Sequence, residues 1–240
     1  MKKGLLIGVL TCVLGVSNVF PQKNRVLVFG KTQGFYHSSI TRGMGLLKQD
    51  LEKEGVQADT TRNAAVFNVK DLKKYKAVIF FNTSGDVLNK TQEDAFFQYI
   101  IKGGGYVGIH AATDTEYDWP FYGKLAGAYF RTHPHQQDAV IKVVDKSHPA
   151  TAFLPSEWKR NDEWYDFKGL SQDMKVLAFL DESSYQGGGM GEHHPIIWHQ
   201  KVGKGRSFYT GVGHRDDNFE EPLVRRHLTE AVLWAAKISR

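Results

Sequence analysis

Short apolar runs alternate with amphipathic segments through the first half of the chain. Four of these runs have the pattern of buried strands, over 25–30, 56–61, 76–82 and 105–110. Between them, Ser38 or Ser39 can cap a helix that runs to about Glu54, and Thr91 opens another, with Asp94 as its capping-box partner. Apolar strands that alternate with helices predict an α/β fold, a doubly wound and mostly parallel sheet.

The second half has a looser pattern. It predicts a helix over 118–130, strands over 139–145, 175–180, 195–200 and 206–211, and a terminal helix over 221–237. Gly203 and Gly205 mark a hairpin between the last two strands, and Leu223 and Leu228 are expected on the inner side of the terminal helix. Neither a repeat nor a linker interrupts the chain after its first residues, so one domain over 23–240 is expected.

The first 22 residues have the pattern of an export signal. Lys2 and Lys3 precede an apolar stretch over 4–16, and small residues before position 18 suit a cleavage site. The stretch is too short for a stable membrane span, so we expect an exported protein, periplasmic or secreted, without a membrane span after signal removal. A lipoprotein processed at Cys12, a retained anchor and a cytoplasmic protein are the alternatives.

Composition narrows the function classes. The chain has one cysteine, within the predicted signal, so disulfides and thiolate metal sites are excluded from the mature domain. The formal net charge is +5, but Lys and Arg are scattered and form no basic stripe, which argues against nucleic-acid binding. The spacing Gly103, Gly105, Gly108 matches a dinucleotide fingerprint, but it ends a helix and enters a strand, so no nucleotide cofactor is expected.

Active sites in doubly wound sheets form outside the carboxyl ends of the strands. Loops over 31–39, 83–89 and 110–120 meet that condition. His110 stands at a sharp strand-to-turn elbow, the position that holds the nucleophile in several α/β enzymes. An enzyme built on this elbow would work without a thiol.

The order of five motifs resembles the ThuA-like (trehalose utilisation) family, within the class I glutamine amidotransferase-like fold. The matching segments are 34–38, 104–110, 194–198, 203–209 and 213–214. The resemblance implies a flavodoxin-like sheet and a link to disaccharide or glycoside breakdown, through 3-keto-sugar derivatives. It also implies that His214 occupies the base position of the amidotransferases, while His110 replaces their cysteine. Glutaminase activity is therefore not expected.

Histidines dominate the candidate chemistry. We expect His110 and His214 to be an acid–base pair, because imidazole titrates near neutral pH. His37, His133 and His135 are candidate ligands for a divalent metal, zinc or similar, since neutral imidazole binds such ions well. The spacing of His133 and His135 directs both into one cavity if the segment is extended. Each of these histidines, taken singly, could equally have a structural role, as a cap or a hydrogen-bonding residue in a polar loop.

Acidic and aromatic residues complete the candidate set. Asp114 lies within the elbow turn and is the first choice to orient His110, and Glu163 is a second acid or a metal ligand. Candidate residues for binding a saccharide are Tyr36, Trp119, Trp164, Tyr165 and Asp216.

Two function classes follow. The first is an enzyme, a lyase or hydrolase that acts on a small saccharide such as a 3-keto-glycoside. The second is a non-catalytic saccharide-binding or scaffold domain. An enzyme requires the histidines to converge, whereas a binding module requires an open aromatic face built from Trp119, Trp164 and Tyr165. The sequence does not indicate an oligomeric state.

Overall fold

A computed structural model describes residues 24–239. The helices in this range are α1 (Ser39–Lys53), α2 (Val69–Leu72), α3 (Lys90–Ile101), α4 (Pro120–Ala126) and α5 (Pro222–Ala235). The strands are β1 (Arg25–Phe29), β2 (Gln57–Thr61), β3 (Ala77–Phe81), β4 (Gly105–Ile109), β5 (Tyr129–Thr132), β6 (Gln137–Val143), β7 (Glu157–Asp162), β8 (Asp166–Lys168), β9 (Lys175–Asp181), β10 (Pro195–Val202) and β11 (Gly205–Thr210). The predicted signal and Cys12 lie outside the described residues.

Nine of these strands form one mixed sheet in the order β2-β1-β3-β4-β11-β10-β9-β6-β7. The half from β2 to β11 is parallel. The half from β11 to β7 is antiparallel, so the sheet as a whole is mixed and the expected parallel arrangement holds in the first half. Strands β5 and β8 pair separately. In the parallel half, the carboxyl ends of β1, β3, β4 and β11 share one edge.

Helices cover both faces of the parallel half. Strand β3 is buried along its whole length, as its unbroken apolar run predicts. Helices α1 and α5 contribute Leu47 and Val232 to the core on one face, and α3 contributes Phe96 to the core on the other. Gly43 brings α1 close to the sheet, because a Cβ at this position would lie 2.3 Å from Cζ of Phe81.

Helix α3 begins two residues earlier than the predicted capping box places it. Asn89, not Thr91, is the N-cap: its side chain accepts from the backbone N–H of Gln92, and the Gln92 side chain accepts from the N–H of Asn89. Asp94 instead pairs with Lys90 on the helix surface.

The predicted helix over 118–130 is wrong in its second half. Pro120 begins α4, and Gly127 ends it with a φ of 93°, a conformation that favours glycine. The chain then enters β5. Leu223, expected on the inner side of α5, is 37% exposed because it lies in the first turn of that helix, at the surface.

Within residues 24–239, no helix combines the length and the apolar character that a membrane crossing requires.

Candidate functional site

Three histidines and a glutamate from four separate segments meet beside the carboxyl edge of the sheet. His37 follows β1, His110 directly follows β4, His214 follows β11, and Glu163 directly follows β7. One ligand atom from each of the four lies within 4.8 Å of the others, and we call them the four-residue cluster. His37, His110 and Glu163 are buried, and His214 is half-buried.

The distances within the cluster match the edges of a metal coordination shell. Nε2 of His110 lies 3.2 Å from Nδ1 of His214. Oε2 of Glu163 lies 3.0 Å from that His214 atom and 3.4 Å from the His110 atom. Ligands about 2.0–2.1 Å from a tetrahedral zinc stand about 3.3 Å from one another, by simple geometry. The three atoms therefore have the spacing of one face of a tetrahedron.

His37 is the fourth member. Its ring centroid lies 5.1 Å from that of His110 and 4.9 Å from that of His214. Neither of its ring nitrogens has a hydrogen-bond partner, although both are buried. Burial, together with the neighbouring His110 and His214, lowers the pKa of His37 to about 3. The ring is thus neutral near pH 7, with a lone pair that no described residue uses.

The elbow fixes the orientation of His110. This residue adopts a φ of 44°, in the left-handed region that is rare for residues other than glycine. Its Nδ1 donates to the backbone carbonyl of Gly211 over 3.0 Å. In neutral His110 the lone pair therefore lies on Nε2, which faces the cluster. The backbone carbonyl of Gly211 therefore orients the His110 ring, a role expected of Asp114 from the sequence.

A side-chain amide holds the outer nitrogen of His214. The Gln136 amide lies 2.6 Å from Nε2 of His214, which leaves Nδ1 to face His110 and Glu163. The contact fixes the orientation of the ring, and with the amide oxygen of Gln136 turned toward Nε2 that nitrogen donates, so that the lone pair of Nδ1 faces the cluster as in metal-binding histidines.

Asp162 supports the loop that carries His214, a role that no pattern in the sequence indicates. Its carboxylate is fully buried and accepts from the backbone N–H groups of Gly213 and His214, at 3.0 and 3.1 Å. It also accepts from the side chain of Asn218 at 2.6 Å. The only sequence signal was its place beside Glu163. Asp162 thereby sets the backbone path of the loop that carries His214.

Glu163 is the charged member of the cluster. Burial opposes its ionisation, but hydrogen bonds with His110 and His214 and their charges outweigh burial and hold the pKa of Glu163 well below its usual range. Its second oxygen, Oε1, lies 3.3 Å from Nδ1 of His133. The side chain of His133 is 40% exposed, so it connects the cluster with solvent.

The other proposed ligand and acid lie apart from the cluster. His135 is exposed and contributes only its backbone carbonyl, to Gln137. Asp114 accepts from the hydroxyl of Tyr117 at 2.7 Å, and burial raises the pKa of its carboxyl.

The expected saccharide-binding residues are dispersed. Trp164 is fully buried in the core, and Tyr165 is buried with its ring 4.2 Å from that of His110. Trp119 directly precedes α4 and packs against Phe121 and Tyr122 of that helix. Tyr36 is exposed and bonds to Arg62, and Asp216 accepts from Ser38 at 3.0 Å.

Phe35 lies beside the cluster and is not among the candidate residues that the sequence indicates. It is 65% exposed, and its ring centroid stands 4.9 Å from that of His37 in an edge-to-face arrangement. An exposed phenyl ring beside a polar centre was not distinguishable by sequence from an ordinary loop residue.

The chain matches a known protein family. The family model described as ThuA, trehalose utilisation, matches residues 25–235. No curated protein matches the chain.

Solved structures extend this similarity. A ThuA-like protein from Bacteroides uniformis ATCC 8492 is 26% identical, with a TM-score of 0.75, over 90% of this chain and 91% of that one. A ThuA-like protein from Parabacteroides merdae ATCC 43184 is 21% identical, with a TM-score of 0.76, over 91% and 92%. A β-galactosidase from Bacillus circulans sp. alkalophilus is 14% identical, with a TM-score of 0.58, and 91% of this chain covers 32% of it. The last two similarities concern the fold alone.

Proposed function

Because the chain belongs to the ThuA family, whose description is trehalose utilisation, we propose that it is an exported enzyme that acts on a saccharide derivative, with a divalent metal held by the four-residue cluster. The substrate class we favour is a 3-keto-glycoside. The strand order β2-β1-β3-β4-β11 supports a flavodoxin-like parallel half, in which sites form at the carboxyl edge.

The observation that carries the proposal is the convergence of His37, His110, His214 and Glu163. Three imidazoles, which bind metals in their neutral form, and one carboxylate are a donor set that zinc and similar ions prefer. The unpartnered nitrogens of His37 support this fit, since buried polar atoms are rarely left without a partner. His110 and His214 then act as ligands, in place of the acid–base role that the sequence analysis gives them.

A bound metal would act as a Lewis acid toward an oxygen of the substrate. Glu163 neutralises part of the charge in the buried cluster, and Gln136 and the Gly211 carbonyl hold the rings of His214 and His110 in place. Tyr165 closes one side of the cluster against water with its buried ring.

A ketone at C3 of a glycoside acidifies the C–H bond at C2. A base removes that proton, and the electron pair of the C–H bond forms an enolate. The enolate then expels the glycosidic oxygen from C1. This oxygen takes up a proton and leaves as an alcohol. We assign the removal of this proton to Nε2 of His133. The ring is half-exposed, and its contacts with Glu163 and Pro134 are made by Nδ1, which leaves Nε2 for the substrate. Water added to the resulting double bond would complete a hydrolysis.

Two observations favour this enzyme over a non-catalytic saccharide-binding domain. The histidines converge within a few ångströms. Trp164 and Tyr165 are buried, so they offer no open stacking surface.

Elemental analysis of the protein, purified without a polyhistidine tag, tests the proposal. We expect near-stoichiometric metal in the wild type, a loss of that metal in His37→Ala, and full content in His135→Ala. The last variant is the matched control, since His135 is an exposed imidazole outside the cluster. A well-folded wild type that contains no metal and takes up none on reconstitution would overturn the metal site.

A further inference from the structure

A second cavity lies at the opposite edge of the sheet, far from the four-residue cluster along the strands. It has a volume of about 430 Å³ and is bounded by residues that precede β3 and β4, by one side of α2 and α3, and by the end of α5. This size falls within the usual range for small-molecule pockets, about 300–1,000 Å³.

The walls of this cavity are mostly apolar. Leu72 and Ala95 are buried and form part of its lining, and the ring of Tyr99 lies against the backbone of Gly104, where a Cβ would come within 2.3 Å of the ring. Val69 stands at its rim with 67% of its surface exposed. An apolar recess of this kind can take up a hydrocarbon or aryl group.

The rim of the cavity carries positive charge. Lys73, Lys76, Lys102 and Lys237 all line the cavity, and no Asp or Glu does. In the part of the chain that the structure describes, the first three of these form no ion pair, while Lys237 donates to the carbonyls of Gly103 and Lys204. Four ammonium groups around an apolar recess create a field that attracts an anion.

We propose that this cavity binds a small amphiphilic carboxylate, an anion whose apolar chain enters the recess while its head lies among the lysines. Charge complementarity selects the anion over a neutral or cationic amphiphile of the same length. The site is separate from the four-residue cluster, so neither proposal depends on the other.

Calorimetric titration of the mature protein, residues 23–240, with octanoate tests the site. We expect saturable one-to-one binding, weakened about tenfold in the double variant Lys76→Gln/Lys102→Gln, since the removed groups are two of the four charges facing the head. The variant Lys76→Arg/Lys102→Arg should retain binding. Lys159→Gln/Lys201→Gln, which neutralises two exposed lysines elsewhere, is the matched control and should bind like the wild type.

Three results would overturn the proposal. The first is the absence of saturable octanoate binding. The second is equal binding of 1-octanol or octylammonium, which would reduce the cavity to an apolar patch. The third is self-association in analytical ultracentrifugation that disappears in Lys76→Gln/Lys102→Gln, which would make a second copy of the chain the occupant.

Discussion

Nε2 of His110 and Nδ1 of His214 face each other across 3.2 Å. Since Nδ1 of His110 already donates to Gly211, a neutral His110 directs a lone pair at His214. The buried His37 adds a neutral ring beside them. Either a proton or a cation between these nitrogens would relieve the repulsion of their lone pairs, and a cation would also contact the Glu163 oxygen that lies 3.0 Å from Nδ1 of His214.

Metal removal should therefore lower stability. A ligand that binds only the folded state adds about 2.7 kcal/mol at a free concentration of 100 times its dissociation constant. We expect zinc, added to chelator-treated protein, to raise the midpoint of thermal unfolding by several degrees. His37→Ala should remove this response, whereas His135→Ala should preserve it. An equal zinc response in both variants would contradict the assignment of the cluster.

Phe35 should contribute to substrate affinity. Its exposed ring stands beside His37, where a sugar ring bound at the cluster would meet it. Aromatic stacking contributes about 0.5–1.5 kcal/mol, so we expect Phe35→Ala to raise KM about two- to tenfold with little change in kcat. Phe35→Trp, which retains an aromatic face, should keep KM near the wild-type value. A fall in kcat at unchanged KM would instead place Phe35 in the chemical step.

Gly43 and Gly45 offer a matched pair within α1. A Cβ at position 43 would collide with Phe81, whereas a Cβ at position 45 meets nothing within 4 Å. We expect Gly43→Ala to lower the free energy of unfolding by about 1–3 kcal/mol through overpacking. Gly45→Ala should raise it by about 0.5–1 kcal/mol, since alanine is the better helix former. Urea denaturation measures both, and equal effects would contradict the described contact of α1 with β3.

The pattern of the sequence predicts much of the parallel half and the edge where the histidines meet. Strands β1, β3 and β4 are apolar along their length, so their ends, and the loops that carry His37 and His110, follow directly. In the antiparallel half, the pattern also predicts β6, β9 and β10, but it misses β7, which alternates buried and exposed positions over only a short segment, Glu157–Asp162. The sequence therefore indicates Glu163 as a candidate residue but does not place it at the edge of the sheet, because the strand that precedes it is not predicted.

His133 and His135 illustrate what a local pattern leaves undetermined. Two residues apart, their side chains would share a face only in an extended strand. Strand β5 ends at Thr132, before either residue, so His133 reaches Glu163 while His135 remains exposed. The partners of His110 and His214, a backbone carbonyl and Gln136, likewise depend on tertiary contacts that no spacing in the sequence encodes.

His227 should make stability depend on pH. Burial lowers the pKa of His227 to about 4, and its Nδ1 donates to the carbonyl of Ala150. His227 is protonated near pH 6.5 in the unfolded chain and only near pH 4 in the folded chain. Its contribution to the free energy of unfolding is therefore complete above pH 6.5 and is lost as the pH falls toward 4. One such histidine contributes a slope of about 1.4 kcal/mol per pH unit between these limits.

We expect His227→Asn, whose amide can replace the donor to Ala150, to reduce this slope by that amount between pH 6 and 5. His193→Gln, at an exposed position, should leave it unchanged. Urea denaturation across this pH range measures the slope, and an unchanged slope in His227→Asn would show that other groups cause the acid sensitivity.

Asp162 should support the site without contacting the metal, so its substitution should affect both stability and metal affinity. Asp162→Asn keeps the size of the side chain but turns one acceptor into a donor that faces the N–H of Gly213 or His214. A buried donor without an acceptor costs about 1–3 kcal/mol, so we expect that loss in the free energy of unfolding. Because the loop carrying His214 then shifts, metal affinity should fall about 10–100-fold, as for other groups that orient ligands.

The control for this variant is Asp173→Asn, at an exposed carboxylate distant in sequence from the cluster. Competition with a fluorescent zinc chelator measures affinity, and urea denaturation of the metal-free protein measures stability. Loss of stability with unchanged metal affinity would mean that Asp162 holds the fold and not the position of His214. Loss of both, in protein that still folds, is the result that the hydrogen bonds to Gly213 and His214 predict.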